Sequence, residues 1–365
     1  MSQPASPPVH RPVLVDPFLA LGFPEEGTIF VDATFGLGGH TRALLSRFPR
    51  LERVIGLDRD GEILDWARRE WAAEPRVVLV HERFSRLPAV LAGMGIAAVD
   101  GILLDLGVSS WQLEEPGRGF SFSRPGPLDM RMDRRTEGPT ARDLVNTLPE
   151  EELARLFAEF GEERFARRIA QAIVRRRTTA AFTTTADLAA LIEGAIPARL
   201  RATSPIHPAT RVFQALRIAV NDELTELEQA LTKAIDLLRP DGRLTVISFH
   251  SLEDRRVKQA MAMAARGCRC PPRFPVCTCG QQPTVELLTR KPIGPTPAEQ
   301  AANPRCRSAR LRVARRLPPA PAREGSASSG RPPATREVAP ARRERARRPS
   351  RPDGSLWPGT PENDA

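Results

Sequence analysis

Thr28-Ile-Phe-Val-Asp-Ala-Thr-Phe-Gly-Leu-Gly-Gly-His-Thr41, followed by Arg53-Val-Ile-Gly-Leu-Asp58, is the stretch that decides the fold. An apolar run, Thr28 to Val31, enters a glycine-rich turn. A helix is expected from Thr41 to Arg47, and a second apolar run, Val54 to Leu57, ends on Asp58. Strand, glycine turn, helix, strand and acid follow one another. Glycines let the backbone close on a ligand, and a helix N-terminus offers free N–H groups. An acid at the end of the next strand can accept hydrogen bonds from both hydroxyls of a ribose. The pattern reads as a nucleoside-cofactor site in an α/β fold.

The spacing of the glycines bears on which cofactor. Dinucleotide enzymes place G-x-G-x-x-G/A after the first strand. Here Gly36 and Gly38 are followed by Thr41 in the third place, and Gly38 and Gly39 are adjacent. Asp32, just before the turn, would repel a pyrophosphate and suits an ammonium group. S-adenosylmethionine carries an ammonium, a sulfonium and a ribose but no phosphate, so charge favours it. A nicotinamide oxidoreductase stays open on spacing alone.

Outward from this stretch, the rhythm of strand and helix continues. A helix through Ile63, Leu64, Trp66 and Ala67 is expected, with Trp66 and Trp71 packed in the core. Val77–Val80 reads as a third strand, with Phe84 beyond its end. A helix over Leu87 to Leu91 leads to a fourth strand, Gly101 to Leu106, which carries Asp105. Ligands of open α/β sheets bind outside the carboxyl ends of the strands, so Asp58, Phe84 and Asp105 are expected to converge.

After the fourth strand the rhythm breaks. Gly107 to Gln112 is a loop, prolonged by glycines and prolines to Pro127. Helical periodicity then runs over Leu144–Leu148, Glu150–Phe160, Arg164–Arg177 and Thr185–Ile196. Thr140 with Asp143, and Thr184 with Asp187, have capping-box spacing. The helix ending at Arg177 is rich in arginine, with Arg164, Arg167, Arg168 and Arg175–Arg177. That face is either a solvated surface or a phosphate contact. A long amphipathic stretch from Val212 to Leu238 returns to a fifth strand, Arg243–Phe249, after the turn Arg239-Pro-Asp-Gly242. Ser248 and His250 lie at its end. Val285–Leu288 and Ala309–Val313 are expected to pair as two further strands.

The net charge of +10 points to a polyanionic partner. It is unevenly placed: residues 311–365 hold 12 Arg against 6 acids, leaving +4 on the rest. The composition from Arg316 onward supports no packed core, and residues 317–365 are expected to be a disordered basic tail. His10 is expected at the surface or as a cap. The N-terminal residues lack the apolar segment of a signal peptide, and no run reaches membrane-span length, so a cytoplasmic protein is expected. Cys268, Cys270, Cys277 and Cys279 form C-x-C-x6-C-x-C in a proline-rich loop. Bound metal, free thiols and disulfides all stay open, because the pairs are tighter than usual zinc spacing.

Several longer motifs carry a specific resemblance. Asp32 to His40, Gly56-Leu-Asp-Arg-Asp60, Asp100 to Ser110, Arg118-Gly-Phe-Ser-Phe122 and Gly126 to Asp133 resemble the bacterial small-subunit ribosomal RNA cytosine-N4 methyltransferase family, also called MraW. So do Gly161 to Phe165, His207-Pro-Ala-Thr-Arg211 and Ile247 to Asp254. The resemblance runs from about His10 to Arg316. It implies a Rossmann-like class I methyltransferase sheet with an inserted all-helical domain. On that reading residues 1–112 and 207–316 form the methyltransferase domain and 113–206 the helical insertion that recognises RNA. It implies methyl transfer from S-adenosylmethionine to N4 of a decoding-centre cytidine of 16S rRNA, within the small ribosomal subunit. The cofactor would contact Gly38, Gly39, His40, Asp58, Phe84, Asp105 and Gln112. A homodimer stays open, as does any role for the cysteine loop. The tail lies outside the family core.

The chemistry is expected in the loops after the fourth and fifth strands, with Asp105, Ser109 and His250 as candidate catalytic residues and Trp111 as a stacking candidate. The Asp/Asn-Pro-Pro-aromatic tetrad of many amino-methyltransferases is replaced here by Asp105-Leu-Gly-Val-Ser109, which argues against a DNA amino-methyltransferase. A non-catalytic RNA-binding module would not need the polar groups at the strand ends.

Overall fold

The apolar runs form a seven-stranded sheet in the order β3-β2-β1-β4-β5-β7-β6. The computed structural model describes residues 12–266, 270, 279 and 281–319. The strands are β1 (Ile29–Asp32), β2 (Arg53–Asp58), β3 (Val77–His81), β4 (Val99–Asp105), β5 (Leu238–Ser248), β6 (Val285–Leu287) and β7 (Arg310–Arg316). The first five pair in parallel, and β7 joins β5 and β6 antiparallel. Parallel strands covered on both faces read as continuous apolar runs, which is why β1, β2 and β4 stand out in the sequence.

Side chains alternate between two cores. Phe30, Val54, Leu103 and Ile247 face one core, with α1 (Val15–Leu21) and α2 (Gly39–Arg47) over it. Val31, Ile55, Leu57, Ile102, Leu104 and Val246 face the other. Separate from both, α3 (Gly61–Glu70) places Ala67 against Phe35 and Trp71. Over the second core lie α4 (Leu87–Gly93) and, later in the chain, α12 (Glu223–Ala234) and α13 (Ser251–Arg266). Trp71 is buried edge-on against Phe35 and donates Nε1–H to the Leu37 carbonyl at 3.2 Å. Trp66 departs from expectation: it is only half-buried, with the Arg69 guanidinium 4.4 Å over its ring. It lies on the flank of α3, where an adjacent arginine covers it instead of the core.

Between β4 and β5 the chain is mostly helical: α5 (Ser110–Glu114), α6 (Ala141–Thr147), α7 (Glu150–Gly161), α8 (Ala166–Arg177), α9 (Thr185–Ala195), α10 (Ala198–Thr203) and α11 (Thr210–Asn221). Phe157, Ile169, Ile173, Phe182, Leu188 and Ile192 share one core, which continues into Val212 and Leu216 of α11. Thr140 and Asp143 cap α6 reciprocally, while Thr184 caps α9 through the Asp187 N–H. On α8 and just before it, Arg164, Arg167, Arg168 and Arg175 are exposed. Arg176 covers the Phe182 ring and Arg177 donates to the Val145 carbonyl at 2.8 Å.

The turn Arg239–Gly242 lies inside β5, between two registers of pairing with β4. A last helix, α14 (Pro297–Ala302), precedes β7. Among the described residues, no helix is long and apolar enough to cross a membrane. His10, Cys268, Cys277 and residues 320–365 lie outside the described residues; Leu317 does not, and its N–H donates to Thr284. Among the described residues no cluster of metal-ligating side chains occurs.

Candidate active site

The strand order reverses between β1 and β4, the place where open α/β sheets bind ligands. A cavity of about 230 Å³ lies there, lined by residues that follow the carboxyl ends of β1, β2, β4 and β5. Gly36, Gly39, His40, Asp58, Phe84, Asp105, Ser109 and Gln112 all line it.

The glycine turn is built by left-handed backbone. Gly36 has φ +54° and Gly38 has φ +76°, a region that penalises side chains. A Cβ on Gly36 would meet nothing within 4 Å, so this glycine leaves space. A Cβ on Gly38 would lie 2.6 Å from both Phe35 and Trp71. Gly38 therefore shapes the turn from beneath and is not among the lining residues, whereas Gly36 is.

Asp58 is held by two backbone donors. Gly36 N–H reaches Oδ2 and Asp60 N–H reaches Oδ1, both at 2.8 Å. Burial, then the charge of Asp60, pushes its pKa up to about 6. Asp105 sits at the end of β4, with its N–H on Thr34 Oγ1 at 2.7 Å and its Oδ2 3.6 Å from His40 Nδ1. Its Oδ1 is buried without a hydrogen-bond partner. Burial raises its pKa well above the usual carboxylate range, and Asp32 and Glu253 add to the rise. Asp32 itself does not reach the cavity. It turns under the glycine loop, where Thr41 Oγ1–H donates to it at 2.8 Å and burial raises its pKa to about 7. It is not among the residues that line the cavity, so the contact with an ammonium expected from the sequence is not a direct one.

Ser109 and His250 both make local contacts. Ser109 caps α5: its Oγ accepts from Gln112 N–H at 3.1 Å, and Gln112 Oε1 accepts from Ser109 N–H at 3.0 Å. His250 lies behind the cavity lining. Its Nδ1 accepts from Glu253 N–H at 3.4 Å and its Nε2 faces Glu253 Oε1 at 3.1 Å. The Glu253 carboxylate stands beside the imidazole, whose Nε2 is buried without a hydrogen bond, and His250 is not among the residues that line the cavity. Trp111 is covered by the Arg118 guanidinium, 4.8 Å from its centroid.

Several contributors had no individual sequence signal. Arg118 is wholly buried, and Nη2 bridges Asp60 Oδ2 at 2.8 Å and the Met132 carbonyl at 2.6 Å. Gln112 Nε2–H donates to the same Asp60 oxygen at 2.8 Å. Asp60 thereby joins the end of β2 to the loop after β4 and to the segment before α6. From α11 and α12 come Arg217, Glu223 and Glu226, which also line the cavity. Glu226 accepts from Arg59 Nη1 at 3.1 Å, while its Oε1 is buried without a partner.

The lining fits S-adenosylmethionine. Asp58, Asp105 and Glu226 offer three carboxylates along one cavity, two of them with a buried oxygen lacking a hydrogen bond. The cofactor offers matching donors in its ribose hydroxyls, ammonium and adenine amine. A pyrophosphate would meet those same carboxylates unfavourably.

Comparison with known proteins agrees. Residues 8–317 match the model of the MraW methylase family. A ribosomal RNA small subunit methyltransferase H of Syntrophotalea carbinolica is 51% identical over 309 residues, covering 84% of this chain and 98% of that protein. Proteins of the same name from Geobacter sp. strain M21 and Heliobacterium modesticaldum are 48% and 49% identical, with the same coverage. The chain belongs to the MraW methylase family and is an S-adenosylmethionine-dependent methyltransferase.

Proposed function

We propose that the protein methylates small-subunit ribosomal RNA at N4 of a cytidine in the decoding centre, acting in the cytoplasm on the small ribosomal subunit. The names of its relatives support the RNA class. The observation that carries the chemistry is Asp105, a buried carboxylate with one oxygen lacking a hydrogen bond, at the edge of the loop Gly107–Ser110.

In this reading the turn Gly36–Gly39 and His40 cradle the amino-acid end of the cofactor. Asp58 accepts from the ribose, and Phe84 and Gln112 border the adenine. S-adenosylmethionine supplies a methyl carbon made electrophilic by its sulfonium. The cytosine amine is a weak nucleophile because its lone pair is delocalised into the ring, so the chain must orient it and take a proton from it. Asp105, in its carboxylate form, would take the N4 proton as the amine is methylated. Its raised pKa makes that carboxylate a stronger base than an ordinary one. The base must leave its stack to enter a cavity of this kind, and the exposed arginines on and before α8 supply a surface for the backbone.

Single-turnover kinetics of Asp105→Asn test the assignment. Transfer falls about 10²- to 10⁴-fold, the range for losing a general base, and the acid limb of the pH–rate profile disappears. Unchanged turnover with an unchanged profile would remove Asp105 from the proton transfer.

A further inference from the structure

Four lining residues serve no part of the cofactor reading and come from the far side of the insertion. They are Arg217 of α11, Glu223 of α12, Phe249 after β5 and Glu253 of α13. They stand beside the loop after β4. A Cβ on Gly107 would lie 3.5 Å from the Phe249 ring, and the charge of Glu253 is felt at Asp105.

Arg217 is fixed from two sides. Its Nε and Nη2 donate to the two oxygens of Glu223, each at 2.8 Å, and Nη2 lies 3.9 Å from Glu253 Oε1. Glu253 is in turn anchored by the Phe249 N–H at 2.7 Å, the His250 N–H at 3.2 Å and the His250 ring. Two of the three guanidinium nitrogens are thus spoken for. Nη1 makes no hydrogen bond among the described residues, although the side chain is only 15% exposed and lines the cavity. A charged donor held this rigidly in the wall of a cavity that Phe249 also lines, with one amino group left over, calls for an acceptor from a ligand.

We propose that Arg217 is the specificity-determining residue for the target base, its Nη1 donating to the N3/O2 edge of a cytosine that lies against Phe249. The inference rests on the cytosine-N4 reading above. Cytosine presents two acceptors, N3 and O2, beside its N4 amine. Uracil presents an N3–H donor in the middle of that edge and would face the guanidinium donor to donor. A site built around a buried donor rejects a base that leaves it unpaired. Donation to N3 also draws the amine lone pair towards the ring, which makes proton removal by Asp105 more necessary.

The test is a cycle between residue and base. Small ribosomal subunits are reconstituted with cytidine or 3-deazacytidine at the target position; the analogue replaces N3 by C–H and keeps an amine that is no weaker a nucleophile. Wild type is expected to lose roughly tenfold to hundredfold in kcat/KM on the analogue, the range for a hydrogen bond to a charged donor. Arg217→Met is expected to be slow on cytidine and to lose nothing further on the analogue, while Arg217→Lys keeps part of the preference. Titration with S-adenosylmethionine shows whether each variant is folded. Equal losses on the analogue in wild type and Arg217→Met overturn the proposal and place Arg217 on another part of the RNA, such as a phosphate. Should neither variant bind the cofactor, wild type decides alone: undiminished transfer to 3-deazacytidine overturns it, and the expected loss supports it. Failure of wild type to methylate N4 of cytidine is a different result and overturns the functional reading itself.

Discussion

At the scale of single residues, the site is governed by carboxylates that burial has made reluctant to ionise. Asp32 is open to a simple test, because it holds a pKa of about 7 without lining the cavity. The native state keeps its proton where the unfolded chain has released it. The stabilisation this gives is complete below the ordinary aspartate pKa and is lost as pH rises through about 7. Cofactor-free protein should therefore be less stable at pH 8 than at pH 5, with Asp58 and Asp105 acting in the same direction. Asp32→Asn should flatten part of that decline, as read by urea unfolding at the two pH values. An identical decline in the variant would mean that Asp32 is ionised throughout. Of these residues, Asp58 and Asp105 are legible in the sequence because each ends an apolar run. The turn of Asp32 beneath the glycine loop is not: one residue along a strand reverses the face, and only the hydroxyl of Thr41 shows which way the carboxylate goes. His250 misleads for a similar reason. Its place at a strand end is readable, but not that the ring packs beside Glu253, one helical turn on, and does not line the cavity.

At the scale of elements, helices and strands are read from periodicity, whereas the ties between them are not. Arg118 is one of 54 basic residues, and nothing in its neighbourhood marks it as wholly buried. Yet it binds the N-cap of α3 through Asp60, the flank of that helix through Glu62, and the carbonyls of Arg131 and Met132. Removing one partner of a buried pair leaves the other charged and unpaired, at a cost of about 3–5 kcal/mol. Arg118→Ala should lose about that much stability in denaturant titration and weaken cofactor binding through Gln112 and Asp60. A loss below about 1 kcal/mol would show that Asp60 is satisfied without it. The arginine-rich helix is also refined by its contacts. Arg176 and Arg177 hold α8 to its neighbours, so changing them would disturb folding and confound a test of RNA binding. The informative substitution is Arg164, Arg167 and Arg168 together to Gln. RNA affinity should fall, and the slope of log affinity against log salt should shrink by about 2–3. Cofactor affinity should not move. An unchanged salt slope would make that face a solvated surface.

At the scale of the whole molecule, the sheet supplies a cofactor cavity at its switch point and the helical segment between β4 and β5 supplies its far wall. Asp60, Gln112 and Arg118 join the two, and Arg217 and Glu223 bring α11 and α12 to the same cavity. The architecture was legible because buried parallel strands and amphipathic helices have distinct periods. The far wall was not, because α11 reads as an ordinary amphipathic helix and its one inward-facing arginine breaks no pattern. One measurement reads the product directly. Purified small ribosomal subunits from cells lacking the enzyme are incubated with the protein and methyl-labelled S-adenosylmethionine, and the labelled nucleotide is mapped by mass spectrometry. The expected result is one labelled residue, an N4-methylcytidine in the decoding centre, lost with Asp105→Asn. Label on another atom or another base, or none on subunits that the protein binds together with its cofactor, would contradict it.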